Sequence, residues 1–151
     1  MAALGKKGPV LITGIDGFTG RHLARVLSAD GWHVAGLGGG GGYESCKINQ
    51  YLSVDLNDTA TIANWLSQVQ PTHIIHLAAL SFVVSNDPLL FYRVNVLGTE
   101  SLLHAIEQSN LHLEKIIVAS SANIYGNAVT SPINENSLPQ PQNHYALSKL
   151  V

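Results

Sequence analysis

Charge is scarce in this chain. Asp, Glu, Lys and Arg make up 12% of its 151 residues, and the net charge is −2 at pH 7. Such a surface has no basic excess to hold nucleic acid or an anionic membrane, so neither is expected as a partner. Cysteine occurs once, as Cys46. That excludes an internal disulfide and fits a reducing, cytoplasmic setting; Cys46 itself reads as a plain loop residue. No run of about 18 apolar residues occurs, so no membrane-spanning helix is expected. The opening Met1-Ala2-Ala3-Leu4-Gly5-Lys6-Lys7 lacks the apolar core of a signal peptide and reads as part of a short tail over residues 1–8. The seven histidines offer no metal site. His73 and His76 flank the core of one apolar run, and no further ligand stands at matching spacing. His76 reads as a packed residue, and Trp32 and Trp65 as core or boundary aromatics.

Apolar residues are plentiful by contrast. At 46% hydrophobic, the chain can build a core with buried parallel strands, and its length suits one domain, taken as residues 9–151. Short apolar runs alternate with amphipathic stretches. Strands are expected at Val10–Thr13, Trp32–Leu37, Tyr51–Val54, His73–Leu77 and Leu113–Ala119. A helix follows the first strand. Another is capped by Asp58 or Thr59, buries Ile62, Trp65, Leu66 and Val69, and is stopped by Pro71. Pro88 opens a third, continuous to about residue 109, with Leu89, Tyr92, Val96, Thr99, Leu103 and Ile106 as its apolar stripe. The run Gly38-Gly39-Gly40-Gly41-Gly42 reads as a mobile loop, since consecutive glycines in regular structure carry a large entropic cost. The region from Asn127 to Asn143 reads as a loop, and Tyr145 to Lys149 as a helix start. This alternation implies an α/β fold, a doubly wound parallel sheet with right-handed crossovers.

The most informative stretch is Val10-Leu11-Ile12-Thr13-Gly14-Ile15-Asp16-Gly17-Phe18-Thr19-Gly20. A buried strand breaks into three glycines spaced three apart, and the helix of Arg21 to Leu27 follows at once. Strand, glycine turn and helix make a phosphate cradle, because unpaired backbone N–H groups and the helix dipole favour an anion there. The glycines serve the tight turn, the close approach of a pyrophosphate, and helix-on-strand packing.

Further features fall where strands end, the ligand-binding rim of open α/β sheets. These are Asp55-Leu56, His76-Leu77-Ala78-Ala79 and Ser120-Ser121. Asn95 sits in the helix after the fourth strand. Tyr145 and Lys149 stand one helical turn apart on one face. In order, Thr-Gly-x-x-Gly-Phe-x-Gly, Asp-Leu, His-Leu-Ala-Ala, Val-Asn-Val-x-Gly-Thr, Ser-Ser-x-x-x-Tyr-Gly and Tyr-x-x-x-Lys resemble the N-terminal part of an extended short-chain dehydrogenase/reductase. That family comprises nucleotide-sugar epimerases, dehydratases and 4-ketosugar reductases, and the resemblance covers about residues 9–151.

The resemblance implies a Rossmann fold that ends before a C-terminal substrate lobe. It implies a cofactor, NAD or NADP, with NAD slightly preferred, and a nucleotide-sugar substrate. Catalytic roles fall to Tyr145 as acid/base, to Lys149, whose charge favours the phenolate and which bonds the nicotinamide ribose, and to Ser121, which holds the substrate oxygen. Ser121 rather than Ser120 matches, being four residues before Tyr125. Gly14, Gly17 and Gly20, with the Phe18 backbone, would line the pyrophosphate. Asp55 would accept from the adenine amino group and Leu56 would cover the ring. Leu77, Ala78, Ala79 and Leu80 would pass close to the nicotinamide side. Asn95, placed with the cofactor residues, would brace backbone more than touch substrate, and Ser81 would approach the phosphates or the sugar. A homodimer through the helices holding Asn95 and Tyr145 is implied as well.

Two departures shape the expected reaction. An acid for the adenosine ribose usually ends the second strand, but Gly38 stands there, no arginine replaces it, and the nearest acid is Glu44. The dehydratases of the family carry an acid just after the catalytic Ser or Thr, where this chain has Ala122 and Asn123. An amide donates no useful proton, so epimerisation or 4-keto reduction at sugar C4 is expected over 4,6-dehydration. The stretch Ala79 to Ser85 nonetheless resembles the GDP-mannose dehydratase and reductase subgroups, which points to a GDP-sugar. Family members run to roughly twice this length. The expectation for these residues alone is cofactor binding without turnover, with an uncovered apolar face that promotes self-association. A non-catalytic NAD(P) sensor is the competing reading, disfavoured by the Tyr145–Lys149 pair.

Overall fold

The computed structural model describes residues 7–40, 48–81, 87–127 and 131–151. Cys46, Glu44, Gly41, Gly42, residues 82–85 and most of the N-terminal tail therefore lie outside the described residues.

Five parallel strands form one sheet in the order β3-β2-β1-β4-β5. They are β1 (Pro9–Thr13), β2 (His33–Gly38), β3 (Gln50–Ser53), β4 (His73–His76) and β5 (Lys115–Val118). The central β1 aligns Leu11 with Ala35 of β2 and with Ile74 of β4. The order reverses beside β1, so the crevice for a ligand opens at the carboxyl ends of β1 and β4. Alternation along β1 feeds two cores. Val10 and Ile12 pack with Val34, Ile15 and Ala24 under α1 (Phe18–Ala29). Leu11 packs with Leu37, Ile74, Ile62, Leu66 and Leu102 beneath α2 (Thr59–Val69) and the helix following β4.

Local sequence explains the helix ends. Asp58 caps α2 by accepting from the Thr61 N–H at 3.1 Å. Asn143 caps α5 (His144–Leu150) by accepting from the Ala146 N–H at 2.8 Å. Gln70 takes a left-handed turn at φ 48° just before Pro71.

Three expectations change. The helix opened by Pro88 is not uniformly α. It runs as α3 (Pro88–Phe91), a π-helical segment (Tyr92–Leu97) and α4 (Gly98–Gln108). Its buried stripe is also one residue earlier than expected: Phe91, Asn95, Gly98, Leu102, Ala105 and Ser109 are buried, while Leu89 is 75% and Leu103 46% exposed. Small residues set that phase. A Cβ at Gly98 would lie 3.1 Å from the Leu56 side chain, and the Ser109 hydroxyl donates to Ala63 O on α2 at 3.0 Å. The faces meet too closely for the larger residues of the adjacent stripe. Secondly, Gly38 belongs to β2, pairing with Ser53, and not to a loop. Thirdly, β5 is shorter than expected and lies at the sheet edge, with Ile116, Ile117 and Val118 40%, 49% and 49% exposed.

Candidate functional site

The turn after β1 follows from sterics. Gly14 holds φ 67°, and a Cβ there would sit 2.6 Å from the Ala78 nitrogen, so only glycine lets the turn press against the strand β4 exit. A Cβ on Gly20 would come within 2.6 Å of Ile15 Cα and overlap the Gly14 carbonyl oxygen. Gly17 is the N-cap of α1 and offers no side chain to its amides. The first backbone bond of the helix is Arg21 N–H to Gly17 O at 3.0 Å, so the amides of Phe18, Thr19 and Gly20 have no backbone acceptor among the described residues. The Phe18 ring is 93% exposed, so its contribution to the cradle is its backbone.

A groove of about 550 Å³ opens in front of this turn. It is lined by Gly14 and Gly17, by Leu37, Gly38 and Gly39, by Ser53 to Asn57, by Leu77 to Leu80, and by Val94. The structure thus brings together Gly14, Gly17, Asp55, Leu56, Leu77, Ala78 and Ala79 from three separate strand ends. At Asp55, Oδ1 accepts from the Asn57 backbone N–H at 2.9 Å and from Asn57 Nδ2 at 2.8 Å. These bonds, the backbone one foremost, hold its carboxyl below the usual carboxylate range.

Ser121, Tyr145 and Lys149 lie outside that groove lining. Ser121 caps the short 3-10 turn Ala122–Tyr125, its hydroxyl accepting from the Asn123 N–H at 3.2 Å. The neighbouring Ser120 hydroxyl donates to Lys149 O at 3.0 Å and ties the end of β5 to α5. The Tyr145 ring meets Phe91 edge-on at 6.1 Å. Burial lowers the pKa of Lys149 below that of a free lysine.

Asn95 links these residues to the groove. It is 5% exposed, and its side chain faces protein. Leu80 N–H donates to Asn95 Oδ1 at 2.8 Å, and Asn95 Nδ2 donates to Leu80 O at 3.2 Å and to Ser148 Oγ at 2.9 Å. Ser148 in turn donates to Tyr145 O at 2.8 Å. Asn95 braces the groove wall and the Tyr145 helix together. A second buried chain runs from Ala78 N–H to the Thr13 hydroxyl, then His76, Thr99 and Asn95 O, at 3.2, 2.6, 2.9 and 2.7 Å.

Thr13, Thr99, Ser148 and Asp16 receive no site role from the sequence. Their signal is faint, because a lone Thr, Ser or Asp at a strand end or helix face is common, and only tertiary pairing shows what each one meets. Among the described residues no three His, Cys, Asp or Glu side chains gather as metal ligands, and no helix is long and apolar enough to cross a membrane.

A parallel sheet with a glycine turn, open helix-start amides and a groove at the strand-order reversal defines a dinucleotide-binding Rossmann domain. Comparison with known proteins narrows this. The family described as GDP-mannose 4,6 dehydratase matches residues 11–151. GDP-6-deoxy-D-talose 4-dehydrogenase of Aggregatibacter actinomycetemcomitans is 34% identical over 140 residues, covering 93% of this chain and 44% of its own length. GDP-6-deoxy-D-mannose reductase of Pseudomonas aeruginosa is 30% identical over 148 residues, 94% of this chain and 44% of the relative. Among solved structures, UDP-glucose 4-epimerase from Brucella ovis in complex with NAD superposes with TM-score 0.86 at 31% identity, over 95% of this chain and 45% of that one. The chain belongs to the GDP-mannose 4,6-dehydratase family of extended short-chain dehydrogenases/reductases. It spans somewhat under half the length of these relatives.

Proposed function

We propose that residues 9–151 form the NAD(P)-binding domain of a nucleotide-sugar epimerase or 4-ketosugar reductase that moves hydride at sugar C4. The observation that carries this reading is the glycine turn, which presents the Phe18, Thr19 and Gly20 amides without backbone acceptors above a 550 Å³ groove. The residues present fit the cofactor. Gly14, Gly17, Gly20 and the Phe18 backbone would take the pyrophosphate, Asp55 and Leu56 the adenine, and Leu77, Ala78 and Ala79 the nicotinamide side, where small side chains permit close approach. When bound, the cofactor supplies the hydride acceptor and donor.

The chain's own residues handle the proton. Tyr145 takes it from the sugar hydroxyl, or returns it to a ketone, at its phenolic oxygen. Lys149 stabilises the phenolate, and Ser121 holds the substrate oxygen while charge develops. Ala122 and Asn123 supply no acid for a leaving hydroxyl, which favours epimerisation or reduction. A 4,6-dehydratase remains the second reading, supported by the family match over residues 11–151. In the complete protein the partners are a nucleotide sugar and a second subunit, in a reducing cytoplasm. For these 151 residues alone the reading is cofactor binding without turnover.

Calorimetry with NAD+ and NADP+ tests the domain: binding of neither rejects the reading. Supplying UDP- and GDP-sugars to the full-length protein, with the nicotinamide absorbance and the sugar products followed, tests the reaction. A 4-keto-6-deoxy product would move the assignment to dehydratase. Tyr145→Phe in that protein is expected to lose about 10²–10⁴-fold in rate while still binding cofactor.

A further inference from the structure

Dinucleotide-binding folds usually place an acid at the end of the second strand, about 20 residues beyond the glycine turn, to accept the adenosine ribose hydroxyls. In this chain Gly38 ends β2. The structure shows why no side chain stands there. A Cβ on Gly38 would lie 2.6 Å from Asp16 Cγ and 2.8 Å from Tyr51 Oη, and would overlap Asp16 Oδ2 outright. The space of a residue-38 side chain is filled by a carboxylate delivered from the glycine turn itself. Gly38 and Gly39 line the groove, and Asp16 Oδ2 sits where a Gly38 side chain would begin.

The Asp16 carboxylate has unused capacity. Its Oδ2 accepts from the Tyr51 hydroxyl at 2.9 Å. Its Oδ1 is buried and has no hydrogen-bond partner among the described residues. An enclosed carboxylate oxygen without a donor is unfavourable, and a ribose hydroxyl is a donor of the right kind. Oδ2, the oxygen against Gly38, is also the one that accepts from Tyr51, and a carboxylate oxygen keeps acceptor capacity beyond one such bond. From Val34 to Cys46 the chain has no Lys or Arg, so this segment offers no cation to neutralise a 2′-phosphate.

We propose that Asp16 stands in for the missing β2 acid, accepts the adenosine ribose hydroxyls, and selects NAD over NADP by repelling a 2′-phosphate. This rests on the cofactor reading given above. Gly38 and Asp16 then work as a pair: the bare backbone of one makes room for the carboxylate of the other.

The test is titration calorimetry of the 151-residue chain with NAD+, NADP+ and the NAD+ analogue lacking the adenosine 2′-hydroxyl. The wild type should bind NAD+ at least about tenfold tighter than NADP+, and the 2′-deoxy analogue several-fold more weakly than NAD+. Asp16→Asn, checked for folding by circular dichroism, should bring the NAD+/NADP+ ratio close to one. Equal wild-type affinities for the two cofactors, or a ratio unchanged in Asp16→Asn, overturn the role of Asp16 while leaving the cofactor reading intact. Binding of neither nucleotide overturns both. If Asp16→Asn does not fold, the wild type with the 2′-deoxy analogue decides: an affinity equal to that for NAD+ overturns the proposal.

Discussion

The Thr13 hydroxyl lies 2.6 Å from His76 Nδ1, with both residues buried. The surrounding bonds define the proton positions. Thr99 donates to Asn95 O, so its oxygen must accept from His76 Nε2–H. Thr13 accepts from the Ala78 N–H, so its hydroxyl hydrogen is available to His76 Nδ1. The network therefore accommodates a neutral imidazole protonated at Nε2. Burial, with a smaller contribution from the charge of Lys149, holds the His76 pKa down at about 4, against 6.5 for a free histidine.

Stability should accordingly fall in mild acid. The unfolded chain binds this proton near pH 6.5 and the folded chain only near 4, so the contribution is complete above 6.5, declines as pH drops, and levels off below about 4. Its ceiling is about 3 kcal/mol. Urea unfolding of the wild type and His76→Gln between pH 7.5 and 4.5 checks this. The wild type should lose more stability than the variant across that range, and parallel losses would contradict it.

Asn95→Ala should be strongly destabilising. It removes the partners of the part-buried Leu80 N–H and C=O and the donor to the buried Ser148 oxygen, at a cost of about 2–3 kcal/mol. Denaturant midpoints measure the loss. Hydrogen exchange should also show faster exchange in α5, because Asn95 holds that helix through Ser148.

Gly20→Ala should push α1 away from the turn, since its Cβ would come within 2.6 Å of Ile15 Cα. NAD+ affinity should fall by at least about tenfold, a loss of 1.4 kcal/mol or more, in calorimetry. Gly39→Ala, where a Cβ meets nothing within 4 Å, should fold normally and serves as a control for folding alone, since Gly39 lines the groove.

The exposed apolar edge should drive self-association of this chain. Ile116, Ile117 and Val118 are 40–49% exposed, and β5 ends the sheet with one edge unpaired in the described residues. Sedimentation velocity should show concentration-dependent oligomers for the wild type. Ile117→Lys should shift the population toward monomer.

Much of this was legible in the chain itself. The glycine turn, the helix start at Asp58 or Thr59, the stop at Pro71 and the strand–helix alternation are local, because sterics and nearby hydrogen bonds decide them within a few residues. The groove residues Gly14, Gly17, Asp55, Leu56 and Ala78 could be named because each stands at the end of an apolar run, and parallel pairing puts all such ends on one rim.

The rest needed the tertiary structure. The buried face of the helix after Pro88 was hidden because Asn95, Gly98 and Ser109 do not look like core residues. Close packing against α2 and the bonds to Leu80 and Ser148 put them inside. The mutual exclusion of a Gly38 side chain and the Asp16 carboxylate exists only once β1 and β2 lie side by side. Local sequence determined where the chain turns and what each turn can hold. Long-range pairing decided which groups share a volume, because contact between residues far apart in sequence depends on register and helix phase, and a small polar or glycine residue reveals neither.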